Sequence, residues 1–275
     1  MEIGDFRLEQ LSEGIFEVSQ AGSIHKIRDL GKERASESVT RVGLDPVLID
    51  TGSKVILLDA GLGMGLDNKE PEPDTSNIVT NLDIFGYHPK DISAVILSHL
   101  HYDHVAGLSY TNKTDRITAT LPNAKIYVQK IEWEAALHSL ESRPEVQGMG
   151  YEPDDLYRLV ADGRIVFLEK ELQEISKGIT VIRTAGHTPG HQIVRIRRSG
   201  QTAYYCGDLI PNELYLNRFV STKIDTDYIK ARKARVLLMQ QAWRDKATLL
   251  FYHSMYVKAG MLVRDKNRGF VLKKG

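Results

Sequence analysis

Apolar positions along this chain recur mostly at a two-residue period or in short unbroken runs, which reads as strands with a few helices between them. Residues 6–11 and 14–18 read as two short strands joined through Ser12-Glu13-Gly14. Residues 47–49 and 54–59 form a hairpin about Asp50-Thr51-Gly52-Ser53, and residues 91–97 end in a buried apolar run. Further strands are expected at 125–128, 165–168, 179–182, 192–196, 202–205 and 247–252, with an edge strand at 269–272 and a Ser199-Gly200 turn. Asp74-Thr75-Ser76 reads as a helix start, with Ile78, Leu82 and Phe85 at helical spacing and Gly86 as the stop. Other helices are expected at 131–140, 154–160 and 226–244. Residues 21–46 are polar and weakly periodic, a long excursion of the kind that forms a flexible arm or flap. Residues 141–153, and the stretch after Leu108, read as loops. Strands precede and follow helices twice, in two halves, which suits a sheet-on-sheet core with helices outside. No repeat or linker divides residues 1–275, so one domain is expected.

The chemistry concentrates where the apolar run of 91–97 ends, in Ser98-His99-Leu100-His101-Tyr102-Asp103-His104. A strand exit can aim several imidazoles at one point, and imidazole with carboxylate suits Zn²⁺, or Fe, Mn or Co, better than Ca²⁺. A lone histidine is normally a satisfied polar group; three with an aspartate in this order make a metal site. Gly61-Leu62-Gly63-Met64-Gly65 lacks the Lys-Ser/Thr of a phosphate loop and reads as a strand-end loop. His25 reads as a solvated loop residue, His138 as a surface or packing residue, and Lys230, Arg232, Lys233 and Arg235 as a solvated basic face.

The stretch His99-x-His101-x-Asp103-His104 resembles the metallo-β-lactamase-fold hydrolases. Later stretches are similar to that superfamily too: Thr184-Ala185-Gly186-His187-Thr188-Pro189-Gly190-His191, Cys206-Gly207-Asp208-Leu209, Tyr252-His253 and the hairpin of residues 48–61. The resemblance implies an α+β fold, an αβ/βα four-layer sandwich of two mixed β-sheets flanked by helices, with the site at one edge between the sheets. It implies two divalent cations, zinc first, with His99, His101 and His187 on one, Asp103, His104 and His253 on the other, and Asp208 bridging. A bridging hydroxide would be the nucleophile, and Asp103, with Asp208 a catalytic group, would accept its proton. His191 and Asp59 are expected to orient ligands rather than bind metal. Tyr215, Phe219 and Met149 are candidate pocket walls.

Several activities of the superfamily fit the residues less well. True β-lactamases typically lack the equivalent of His104 or of Asp208, and flavin-linked reductases carry glutamate where His101 stands. Glyoxalase II-type thioesterases have a longer segment after the last histidine than residues 254–275. The branch of N-acyl-homoserine lactonases and methyl-parathion-hydrolase-like enzymes is most similar, in Asp50-Thr51-Gly52-Ser53-Lys54-Val55-Ile56-Leu57-Leu58-Asp59 and in the spacing of its histidines. The chain departs from it after the bridging aspartate, where Leu209-Ile210-Pro211-Asn212 replaces an expected tyrosine. The expected activity is hydrolysis of a lactone or related ester in a small molecule. Phosphotriesterase and thioesterase are the alternatives on the same fold, and an RNA-processing nuclease or a non-catalytic metal-binding protein the alternatives of another class.

Composition narrows this a little. Lysines and arginines number 36, as do aspartates and glutamates, so no global field draws nucleic acid or a membrane surface. No apolar run approaches a bilayer span and residues 1–7 lack a signal core, which gives a cytoplasmic expectation. The single cysteine, Cys206, rules out an intrachain disulfide and reads as a packing residue. A homodimer through residues 21–46 or 141–153 is compatible with the resemblance.

Overall fold

The computed structural model describes residues 1–19, 24–27, 39–63, 78–114, 116–142, 150–152, 154–216, 225–266 and 269–273. Two seven-stranded sheets are built from successive halves of the chain. The first runs, in order across the sheet, Glu2–Ile3, Phe6–Gln10, Val47–Asp50, Val55–Leu58, Ile92–Ile96, Lys125–Gln129 and Ile165–Leu168. The second runs Leu172–Ser176, Ile179–Arg183, Gln192–Arg198, Gln201–Tyr205, Thr248–Leu250, Ala259–Asp265 and Gly269–Leu272. Five α-helices occur among the described residues: α1 Ile78–Ile84, α2 Tyr102–Val105, α3 Lys130–Ser142, α4 Asp154–Ala161 and α5 Tyr228–Arg244.

Strand periodicity explains the layering. Val47, Ile49, Ile56, Leu58 and Ile96 face Val181, Val194, Ile196, Tyr205 and Leu250 of the other sheet in the central core. Their alternates Leu48, Leu57 and Val95 face Ile78, Leu82, Ala136, Leu156 and Leu159 of the outer helices. On the far side, Tyr204, Leu249 and Phe251 pack on Leu238, Met239 and Ala242 of α5. The expected αβ/βα sandwich is therefore the fold observed. Strands buried on both faces also read as continuous apolar runs.

Ile92–Ile96 lies between two parallel neighbours, Val55–Leu58 and Lys125–Gln129. Gln201–Tyr205 runs parallel to Thr248–Leu250. The segments that follow 92–96, 201–205 and 248–250 leave from the carboxyl ends of parallel strands, where open α/β sheets place their ligands.

Some expectations need correction. Residues 6–11 and 14–18 are strands as expected, in two different sheets: Phe6–Gln10 pairs with Val47–Asp50, while Gly14–Ser19 leaves for a separate three-stranded sheet with Ile24–Lys26 and Val39–Leu44. The supposed arm of 21–46 is thus largely strand where described, its alternation hidden by polar residues on both half-exposed faces. A hairpin, Ser109–Thr111 with Ile117–Ala119, replaces the polar loop after Leu108. Leu172–Ser176 and Ala259–Asp265 were not foreseen: both are largely exposed or half-exposed, and their apolar and polar residues do not alternate cleanly. α5 starts at Tyr228, where Asp227 caps it by accepting from the Lys230 N–H at 3.0 Å. Residues 74–76, the expected start of the first helix, lie outside the described residues; Gly86 does end that segment, at φ +80°.

Candidate metal centre

The seven expected ligands converge. His99, His101, His187 and Asp208 form one group of buried ligand atoms, and Asp103, His104 and His253 a second. Their origins differ: His99 to His104 follow the strand Ile92–Ile96, and His187 lies in the turn between Ile179–Arg183 and Gln192–Arg198. Asp208 follows Gln201–Tyr205, and His253 follows Thr248–Leu250.

Asp208 stands between the groups. Its Oδ2 lies 3.3 Å from His187 Nε2 and 4.0 Å from His99 Nε2. Its Oδ1 lies 3.3 Å from His104 Nε2 and 3.2 Å from His253 Nε2. Asp103 Oδ2 is 3.4 Å from His253 Nε2 and 3.8 Å from His104 Nε2, and His187 Nε2 is 3.2 Å from His101 Nδ1. Two ligand atoms about 2.0–2.1 Å from a tetrahedral Zn²⁺ lie about 3.3 Å apart, so these separations match a shared cation. Both Asp103 oxygens, Asp208 Oδ1, and the Nε2 atoms of His99, His104 and His253 are buried without a hydrogen-bond partner. Each such atom costs about 1–3 kcal/mol if left so. Their gathering at one place fits divalent cations.

The surroundings fix the histidine tautomers. His104 Nδ1 donates to Asp59 Oδ2 at 2.7 Å, His187 Nδ1 to Asp225 Oδ1 at 3.0 Å, and His253 Nδ1 to the Gly43 carbonyl at 3.0 Å. His99 Nδ1 donates to Ser98 Oγ at 3.0 Å, since that hydroxyl itself donates to Asp59 Oδ2 at 2.7 Å. Each of these rings keeps its Nε2 lone pair for the centre, whereas His101 presents Nδ1.

Electrostatics divide the cluster. Burial, with neighbouring histidines adding to it, holds His99 and His101 well below the ordinary imidazole pKa. Burial also pulls His104 and His253 down, but Asp103 and Asp208 override it and raise both. Burial pushes Asp208 up, yet His253 and His104 hold it well below the usual carboxylate range. Asp103 is raised by burial against the same two histidines.

Asp59 and His191, the two residues expected to orient ligands, each contact the cluster. Asp59, fully buried at φ +54°, accepts from the Ser98 N–H (2.6 Å), Ser98 Oγ, His104 Nδ1 and Tyr205 OH (2.6 Å). His191 Nε2 accepts from the Asp208 N–H at 3.0 Å, so its Nδ1 carries the proton and donates to Thr184 Oγ1 at 2.8 Å. Burial, with His187 beside it, lowers its pKa to about 3, so it stays neutral. With both nitrogens engaged, it has no lone pair left for a metal.

Of the pocket candidates, Tyr215 is half-buried with the Arg235 guanidinium 5.2 Å from its ring centre, and burial and Asp208 together raise its phenol pKa. Met149 and Phe219 lie outside the described residues. His25 and His138 are exposed, and Cys206 is buried with its thiol pKa pushed up by burial. Arg235 corrects the solvated-face expectation: it is 1% exposed and donates to the Leu209 carbonyl at 2.8 Å.

Among the described residues, the buried carboxylates that escaped the sequence reading include three that brace segments of the site. Asp225 holds His187 and lies 3.8 Å from Arg235. Glu13 accepts from the Leu62 and Gly63 N–H groups at 2.8 and 2.9 Å, fastening the loop after Asp59. Glu132 accepts from the Leu100 and Gly190 N–H groups. Their partners are mostly backbone amides or distant in sequence, so no local pattern marks them.

A profile of the Metallo-beta-lactamase superfamily matches residues 41–250, a span holding six of the seven clustered side chains, with His253 just beyond it. An N-acyl homoserine lactonase of Bacillus sp is 27% identical over 228 residues, covering 79% of this chain and 80% of its own. One from Bacillus thuringiensis is 32% identical over 154 residues, 54% of this chain and 52% of its own. A crystal structure of a probable metal-dependent hydrolase from Staphylococcus aureus superposes with a TM-score of 0.75 at 24% identity, covering 100% of this chain and 99% of that one. AidC, a dizinc quorum-quenching lactonase in complex with a product, also gives 0.75, at 22% identity, covering 100% and 96%. The two superpositions speak to the fold. The profile match, spanning most of the chain and the strands that present the cluster, places this hydrolase in the metallo-beta-lactamase superfamily.

Proposed function

We propose that this hydrolase works with two divalent cations, zinc by the chemistry of its donors, and cleaves an ester-like bond in a small molecule, a lactone ahead of a phosphotriester or a thioester. The observation that carries this reading is Asp208, whose two oxygens face two different sets of imidazoles. His99, His101 and His187 would hold one cation, Asp103, His104 and His253 the other, and Asp208 would serve both. When bound, the pair acidifies a water molecule and polarises the oxygen of the electrophile.

The chain's own residues orient, dry and handle protons. Asp59, Asp225, Ser98 and the Gly43 carbonyl keep Nδ1 protonated on four rings, so each Nε2 points inward as a lone pair. His191 holds the Asp208 backbone in place, and through it the bridging carboxylate. Asp103 Oδ1, buried without a hydrogen-bond partner, is the atom that receives the proton released on attack. Tyr215 forms part of the pocket wall beside Asp208. Two things support a neutral lactone over RNA: the Bacillus relatives are named N-acyl homoserine lactonases, and the chain's net charge is zero.

The test is a hydrolysis panel on purified, metal-quantified protein, offering acyl-homoserine lactones, simple δ-lactones, a paraoxon-type triester, an acyl-glutathione and a pre-tRNA. His101→Ala and Asp208→Ala serve as controls. Lactone turnover that both controls lose together with metal is the expected result. Turnover of pre-tRNA alone would overturn the small-molecule reading.

A further inference from the structure

We propose that Glu132 is a positioning residue that sets the distance between the two loops carrying His99, His101 and His187. This rests on reading the cluster as a dinuclear centre. Glu132 is fully buried in the first turn of α3, where the helix dipole favours a negative charge. Its two oxygens serve different loops. Oε1 accepts from the Leu100 N–H at 3.1 Å, between His99 and His101, and from the Tyr151 hydroxyl at 3.0 Å. Oε2 accepts from the Gly190 N–H at 2.8 Å, three residues beyond His187. A carboxylate is rigid, so the amides it bridges are held at a fixed separation. Hydrogen bonds to an ionised acceptor are also stronger than neutral ones.

Two further contacts converge on the same side. Tyr151 pairs with His101 in an isolated bridge, its ring centre is 5.2 Å from that of His101, and the Tyr102 N–H donates to the Gly150 carbonyl at 2.9 Å. The His187 loop is pressed against α3 so closely that a Cβ on Gly190 would fall 2.5 Å from Glu132 Cβ and 2.6 Å from its backbone nitrogen. Glu132's backbone partners are Leu100, between His99 and His101, and Gly190, three residues beyond His187, whereas Asp103 and His104 lie further along and His253 is on another segment. Glu132 therefore acts first on the metal position of His99, His101 and His187.

Glu132→Gln keeps the side chain's shape but turns one acceptor into a donor, which must face an N–H. Titration with Co²⁺, followed by its visible absorption and by competition with a chromophoric chelator, reads both positions without turnover; His101→Ala and His253→Ala mark which class of site is which. The expected result is a roughly tenfold or greater loss of affinity, with an altered cobalt spectrum, in the class that His101→Ala removes, and a smaller loss in the other. Tyr151→Phe, which deletes one donor and leaves the carboxylate, should weaken the same class by less, and it decides the matter if Glu132→Gln does not fold. Equal weakening of both classes, or of neither, in these variants overturns the assignment while the metal reading stands. Wild-type protein that takes up no cobalt overturns both.

Discussion

Replacing Asp59 by asparagine isolates one charge without disturbing the backbone, since asparagine tolerates φ +54° as aspartate does. The carboxylate accepts four hydrogen bonds, from the Ser98 N–H on Oδ1 and from Ser98 Oγ, His104 Nδ1 and Tyr205 OH on Oδ2. Asparagine has one oxygen. With that oxygen at the Oδ2 place, its NH₂ faces the Ser98 N–H at about 2.6 Å, donor against donor. Turned over, the NH₂ faces three donors and drives the His104 proton to Nε2, which then cannot ligate. The first arrangement is cheaper and strands one buried donor, about 1–3 kcal/mol, with a further 1 kcal/mol or so from weakening charge-assisted bonds. A loss of about 2–4 kcal/mol corresponds to a fall in Tm of roughly 3–7 °C for a chain of this size. Freed of its anionic partner, His104 becomes a poorer ligand, and affinity at the Asp103/His104/His253 position should fall about 10- to 100-fold. Thermal melts of metal-free protein and chelator-competition titrations measure the two effects. An Asp59→Asn protein that melts within 2 °C of wild type and binds both metals unchanged would refute the reasoning.

Acidification should empty the two positions in order. In the metal-free protein Asp103 and Asp208 raise the pKa of His104 and His253, so a cation entering there competes with protons held more tightly than on a free imidazole, and lowering the pH opposes its entry. His99 and His101, held well below 6.5, compete with metal only at much lower pH. Dialysis against chelator in steps from pH 8 to 5, with metal counted at each step, should show two losses; simultaneous release contradicts the ordering. Gly207→Ala should be severe, because φ is +48° and the added Cβ would fall 2.8 Å from both His191 Nε2 and Ser98 Cβ. A loss of about 2–4 kcal/mol is expected, and chemical denaturation checks it. Cys206→Ala should cost about 1 kcal/mol of packing and leave kcat/KM within about twofold at full metal content; abolished turnover would put the thiol in the chemistry.

The ligands were legible because they sit in short, dense stretches whose residue types have few other uses, as His99 to His104 do within six positions. The central strands were legible because burial on both faces leaves runs such as Val55-Ile56-Leu57-Leu58. Leu172–Ser176 hid because it is half-exposed and carries Gln173, Glu174 and Ser176. Glu132, Asp225 and Glu13 hid for another reason. A buried acid that accepts from amides 32 or 58 residues away leaves no spacing to read, and a surface acid on a helix has the same local appearance. Arg235 was misread in the same way, since its Leu209 partner lies 26 residues earlier.

The two sheets come from successive halves of the chain, and each ligand group draws on both: His99 and His101 meet His187 and Asp208, while Asp103 and His104 meet His253. A cation held at either position therefore ties strands about 100–150 residues apart, much as a crosslink would. Covalent closure of a loop that long lowers the entropy of the unfolded chain by the equivalent of about 4.7 kcal/mol. With a single cysteine the protein has no covalent staple of its own. Metal loading can take that place, and such a staple is indifferent to reducing conditions but is opened by acid or a chelator. The halves should then part slowly when loaded and quickly when stripped, so resistance to proteolysis would depend on metal supply even where no substrate is present.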